Sequence, residues 1–208
     1  MAFQGKGILG SVRGKIGNLV GYNRNGKNVL QSIGNRKGNA SRLTWDYINQ
    51  LLINPFNATV GNYYVTNNSF SNTFSHGARS KLPLQKGQGG LEFKIGSTSM
   101  QSFIGFSPES VDYKRSLAKT TILILGTGYR IYIDNMVIRT GSGLVLGAKF
   151  RIVIGLESTK YFLDNNQGEF VLIYETVIVY TYPLYMLTMM ANAGDIFVDL
   201  KMGGYHLK

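Results

Sequence analysis

Cysteine is absent from the chain, which excludes disulfide staples and thiolate metal sites and leaves no redox compartment to read. Histidine is scarce: His76 and His206 are the two, both near glycines in expected loops. Neither has a second histidine or a carboxylate at metal-ligand spacing, so no metal site is expected. Proline occurs four times, and acids number 11 against 22 bases. A long uninterrupted apolar run is missing too. Residues 170–191, FVLIYETVIVYTYPLYMLTMMA, come nearest, but Glu175 and Pro183 interrupt them and β-branched and aromatic residues dominate. They read as two buried strands broken near Thr181 to Pro183, not as a membrane helix, and no membrane partner is expected. The opening MAFQGKGILGSVRGK holds no apolar core of a signal peptide, and none is expected there.

What the chain has in quantity is glycine, with 26 of its 208 residues, and aromatics, with 13 Tyr and 11 Phe. That mixture favours many strands joined by glycine turns. From residue 91 onward, strands are expected at LEFKI (91–95), QSFIGF (101–106), TTILIL (120–125), YRIYID (129–134) and MVIRT (136–140). They continue at KFRIVI (149–154), KYFLD (160–164), EFVLIYE (169–175), LYMLTMMA (184–191) and DIFVDLKM (195–202). Several alternate; Phe150, Ile152 and Ile154 fall on one side, Lys149, Arg151 and Val153 on the other. Short strands at this spacing, with no crossover helices between them, indicate an antiparallel β-sandwich over residues 55–208. Residues 55–90 are polar and punctuated. One short helix is expected over 41–54, SRLTWDYINQLLIN, where Leu43, Tyr47, Ile48, Leu51 and Leu52 share a face and Pro55 ends the run.

Charge is uneven along the chain. Before Asp46 there is no acid, yet this stretch holds Lys6, Arg13, Lys15, Arg24, Lys27, Arg36, Lys37 and Arg42. The stretch is also glycine-dense, which no helix survives. Its clearest local signal is LVGYNRNGKNVLQSI, where Asn25-Gly26 supplies the tight turn of a hairpin. A lone hairpin is marginal in water and gains order by docking. Residues 1–40 therefore read as a basic docking arm that attracts an acidic surface, with Tyr22 as its aromatic contact.

Motifs that resemble chemistry fail on context. GKGILG at 5–10 fits a dinucleotide fingerprint but lacks the preceding strand and the downstream acid. GYNRNGKN at 21–28 misses a phosphate loop, with Asn28 where a hydroxyl residue belongs. No GxSxG elbow occurs. The pairs Glu169 with Glu175 and Asp195 with Asp199 are spaced to share a strand face, where they read as solvated edge charges. The chain is expected to be non-enzymatic, with no catalytic residue and no cofactor.

Two resemblances extend this reading. GGLEFKIG (89–96), FIGFSPES (103–110), GYRIYIDNMVIRTGSG (128–143), GAKFRIVI (147–154), KYFLDN (160–165), VLIYE (171–175), YPLYMLTMMANAG (182–194) and DIFVDLKM (195–202) together resemble a concanavalin-like jelly roll of the SPRY or laminin-G kind. The usual tryptophan and any acidic calcium cluster are missing from the pattern. GILGSVRGKIGNLVGYNRNGKNVLQS (7–32) resembles the opening GKxGNxVGYxxxGKxV of head-associated virion proteins of phages of Bacteroidetes hosts, crAss-like phages included. Gly14, Lys15, Gly17, Asn18, Gly21, Tyr22, Gly26, Lys27 and Val29 carry the match. The resemblance implies a virion structural protein, a capsid decoration or head-fibre protein assembled in the host bacterial cytoplasm. Its implied partners are the major capsid protein or other virion proteins. Exposed strand edges point to a homo-oligomer, dimer or trimer.

Two alternatives use the same parts. A jelly roll can bind glycans or receptors, for which Tyr129, Tyr132, Tyr161, Tyr180 and Tyr182 are candidates, although cross-strand packing also accounts for each of them. The arm's charge would attract nucleic acid, but it offers Tyr22 for stacking and none of the interleaved aromatics of a single-strand binder, which weighs against that partner.

Overall fold

The computed structural model describes residues 14–16, 19–24, 27–32, 44–47 and 52–56 as strand backbone, and 58–204 apart from 62, 69–73, 75, 82, 85–88, 109–117 and 179. The chain divides into two compact units, Met1–Arg42 and Leu43–Lys208.

The first unit is a three-stranded antiparallel meander of β1 (Gly14–Ile16), β2 (Leu19–Arg24) and β3 (Lys27–Ser32). Arg24 stands opposite Lys27, so the two-residue connection is the one Asn25-Gly26 calls for. The expected hairpin is present, and β1 adds a third strand that glycine-rich GKI did not announce. Three strands lie beyond the marginal two-strand case.

The second unit is all β. Its early strands are β4 (Thr44–Tyr47), β5 (Leu52–Phe56), β6 (Thr59–Gly61), β7 (Tyr64–Thr66), β8 (His76–Ser80), β9 (Gly89–Ile95) and β10 (Gln101–Ser107). They are followed by β11 (Thr120–Leu125), β12 (Gly128–Ile133), β13 (Met136–Ser142) and β14 (Lys149–Ile154). The last are β15 (Thr159–Asp164), β16 (Val171–Thr176), β17 (Tyr185–Met190) and β18 (Ile196–Gly204). A first sheet runs β13-β12-β11-β10-β17-β8-β5; a second runs β16-β15-β14-β9-β18-β7-β6, with β4 also paired to β18. All pairings are antiparallel. This is a concanavalin-like β-sandwich. No helix among the described residues is long and apolar enough to cross a membrane.

The short helix expected over 41–54 is not what forms: Thr44–Tyr47 and Leu52–Phe56 are strands. The helical spacing of five apolar residues competed with the β preference of Thr44, Trp45, Tyr47 and Ile53, and pairing with β18 and β8 decided it. Pro55 is tolerated because β5 is the outermost strand of its sheet and its register with β8 shifts between Ile53 and Phe56. Residues 44–56 thus belong to the sandwich and are no connector. His76, expected in a loop, is buried on β8. Of the two strands expected in 170–191, β17 is buried, whereas β16 lies at a sheet edge with Val171 and Leu172 exposed.

The main core fills the space between the sheets. Burial on β14 alternates as its sequence requires, with Phe150, Ile152 and Ile154 inward. Phe93 stacks on Phe150 at 5.4 Å and meets Phe197 edge-on at 5.3 Å, while Tyr129 of the first sheet reaches Phe150 of the second at 5.3 Å. Such offset and edge-on pairs add about 0.5–1.5 kcal/mol each beyond the area they bury. A second apolar cluster, including Phe103, Leu123, Tyr132, Leu187 and Met189, lies on the other face of the first sheet. Gly105 permits close strand approach there: a Cβ at this position would collide with the Thr120 carbonyl oxygen.

Candidate docking surfaces

The first surface is set by backbone register in the N-terminal sheet. Residues directly opposite in an antiparallel pair share a face, as do residues two apart in one strand. Lys15 is paired with Val20, Tyr22 with Val29, and Arg24 with Lys27. Lys15, Tyr22, Arg24 and Lys27 therefore lie on one face of the meander. The other face receives Ile16, Leu19 and Leu30. No residue of these three strands is acidic. Like charges directly opposite, as at Arg24 and Lys27, are destabilising unless a negative partner lies against them. Four of the expected docking residues are brought together in this way. Lys6, Arg13, Arg36, Lys37 and Arg42 lie outside the described residues.

The second surface is the outer face of the sandwich's second sheet, which sequence reasoning had not joined into a site. Its signal was the outward half of the alternation in LEFKI and KFRIVI. Glu92 on β9 stands opposite Arg151 on β14 and Lys201 on β18. Arg151 donates from Nε and Nη2 to Glu92 Oε2 at 3.0 and 2.7 Å, and Lys201 Nζ donates to Oε1 at 3.1 Å. The Arg151 guanidinium also covers the ring of Phe170 at 3.9 Å, a cation–π contact. Lys149 pairs with Asp164 at 3.5 Å, Lys94 with Asp199 at 3.9 Å, and Lys160 with Glu175 at 3.4 Å. A shallow groove runs among Glu92, Lys94, Lys149, Asp164, Phe170 and Lys201.

Two carboxyls on this face titrate below their ordinary range. Burial pushes Asp164 up, but the amides of Gly168 and Gln167, at 2.9 and 2.8 Å, together with Lys149 outweigh it and hold it low. Glu175 is held low chiefly by the Ser158 hydroxyl at 2.7 Å, with Lys160 adding to it. Every base named here has an acid, five bases sharing four carboxylates, so most of the surface's charge is paired within the sheet.

The acid pairs expected as solvated edges divide. Glu169 and Glu175 are exposed, whereas Asp195 is fully buried. Its Oδ2 accepts from the Gln101 and Asn192 amides, both at 3.1 Å, and from the Ser102 hydroxyl at 2.7 Å, fastening the turn before β18 to β10. Asp199 sits at a positive-φ irregularity of β18. The five tyrosine candidates for glycan stacking also fail as a surface: Tyr129, Tyr132, Tyr161 and Tyr180 are buried and Tyr182 is half-buried. Tyr161 shares a hydrogen bond with Thr120 across the layers, and burial drives its hydroxyl pKa upward. Among the described residues no three His, Cys, Asp or Glu side chains are grouped to hold a metal ion.

No protein-family model and no curated protein matches the sequence. Solved structures do match the fold. The exoplasmic/lumenal domain of VIP36 in its calcium-bound form superposes with a TM-score of 0.56 at 6% identity, covering 79% of this chain and 84% of that one. The SPRY domain of human HERC1 gives 0.52 at 16% identity, covering 79% and 99%. The TRIM65 PSpry domain gives 0.54 at 8% identity, covering 75% and 87%. At these identities the likeness is one of fold, and it is the likeness that the strand order from residue 89 onward implied.

Proposed function

We propose that the chain is a non-enzymatic virion attachment protein in which the basic face of the N-terminal meander docks on an acidic surface of another virion protein and the sandwich is the part displayed. The observation that carries this reading is the register that puts Lys15, Tyr22, Arg24 and Lys27 on one acid-free face, in a unit compact in its own right. Three bases on one short sheet repel one another; an acidic partner converts that repulsion into attraction and into a fast, salt-sensitive encounter. The resemblance of residues 7–32 to head-associated phage proteins supplies the kind of partner.

The displayed sandwich supports a binding role of its own, because the same fold in VIP36 has been solved with calcium and Man3GlcNAc bound. For this chain the tyrosines that a glycan would have used are committed to packing, so protein docking is the better supported role.

The test is to raise antibody to the sandwich and probe purified particles of a phage encoding the chain, by mass spectrometry and cryo-microscopy. A fixed copy number on the particle, with the N-terminal unit at the contact, is expected. A protein confined to the infected-cell lysate and absent from particles defeats the reading.

A further inference from the structure

The first sheet of the sandwich has a feature that the attachment role does not use. None of its seven strands contains an aspartate or glutamate, yet they contain Arg79, Arg130 and Arg139. Arg130 and Arg139 are exposed and solvated. Arg79 is not: it is 8% exposed, and its Nε and Nη1 are buried with no hydrogen-bond acceptor among the described residues.

Its position explains the isolation. Arg79 lies on β8 opposite Leu187 of β17, and Leu187 belongs to the outer apolar cluster with Phe103 and Met189. Its strand neighbour Ala78 belongs to the inter-sheet core, so Arg79 points the other way, into the outer layer. A guanidinium cannot shed its proton to escape burial, and an unpaired buried charge is among the costliest groups a fold can hold. The second sheet shows what this chain does with a partly buried arginine when it has an acid: Arg151 is forked onto Glu92.

We propose that Arg79 is the anchor of a carboxylate-binding site on the first sheet, completed by an acid from outside the chain. A carboxylate reaching the part of Arg79 that stays 8% exposed would set its charge against the guanidinium. The apolar surroundings favour an Asp or Glu side chain presented among hydrophobic residues of a protein partner over a sugar acid, whose hydroxyls would find no partners beside Leu187 and Met189. The site is independent of the N-terminal meander and of the virion reading.

The experiment follows the Arg79 Nε–H resonance of the full chain by proton–nitrogen NMR, at constant ionic strength, as chloride is replaced by acetate. A parallel titration uses a capped Leu-Glu-Leu peptide. A saturable shift of this one resonance is expected with both probes. At least tenfold tighter binding of the peptide assigns the site to a protein partner; equal affinity assigns it to a free carboxylate. No saturable shift with either probe overturns the proposal. Thermal unfolding gives a second readout. R79M should be at least as stable as the wild type in chloride and should lose the wild-type gain in acetate. An R79M chain several degrees less stable than the wild type in chloride would mean that Arg79 already has a partner within the chain, which also overturns it.

Discussion

Two charged β surfaces in one chain are built on opposite plans. On the second sheet of the sandwich, Glu92 serves Arg151 and Lys201, Asp164 serves Lys149, Asp199 serves Lys94, and Glu175 serves Lys160. On the N-terminal meander, Lys15, Arg24 and Lys27 share a face with no acid at all. The first plan sets its charges against one another within a sheet; the second lines up bases on strands that carry no acid of their own. The difference separates charge that shapes a fold from charge that finds a partner, and net charge alone, +11 for the whole chain, would not have made it.

The contrast can be pressed by substitution. E92Q should have the largest effect on the sandwich, because it strips the shared acid from two half-buried bases. A loss of about 1–3 kcal/mol in urea unfolding is expected, below the range for a fully buried pair because both partners touch solvent. A change within error would show that the network is ornamental.

D164N comes next and carries a pH signature. Asp164 has a lowered folded pKa, so its contribution is present above the unfolded carboxyl pKa and is lost as pH falls through the folded value. The variant should melt a few degrees below the wild type at pH 7, and the two curves should converge under acid. A gap that persists unchanged at low pH would mean that the amide fails to replace the turn's hydrogen bonds for reasons unrelated to charge.

R24E reverses the logic of the meander. It sets an acid opposite Lys27 and should stabilise the isolated unit by about 0.2–1 kcal/mol, seen as slower amide exchange in β2 and β3. Faster exchange would argue that the like-charge pair is not under repulsion. K160A is the smallest of the set. Lys160 and Glu175 are each roughly two-fifths exposed, and losing the pair should leave the urea midpoint nearly unchanged.

How far the sequence was legible depends on where pairing partners lie. From Leu91 onward, strands such as TTILIL and KFRIVI carry their own period and turn signals, and they fold where they were read. Between residues 44 and 80 the strands are short and defined by neighbours. HGARS has few strand letters, yet all five residues are buried because β17 and β5 flank it. The run at 41–54 showed a helical period that sheet pairing overrode. Arg79 was invisible for a related reason: an arginine in a polar stretch reads as surface until the apolar cluster is seen to share its face of the sheet. On the meander, by contrast, Asn-Gly set the register and the register aligned the basic residues.

Particle occupancy of a K15E/R24E/K27E chain, measured against wild type by quantitative mass spectrometry of phage purified from cells supplying each form, bears most directly on docking through the meander. Occupancy at least tenfold lower, with the melting temperature of the sandwich unchanged, is expected. Equal occupancy of the two forms would contradict it.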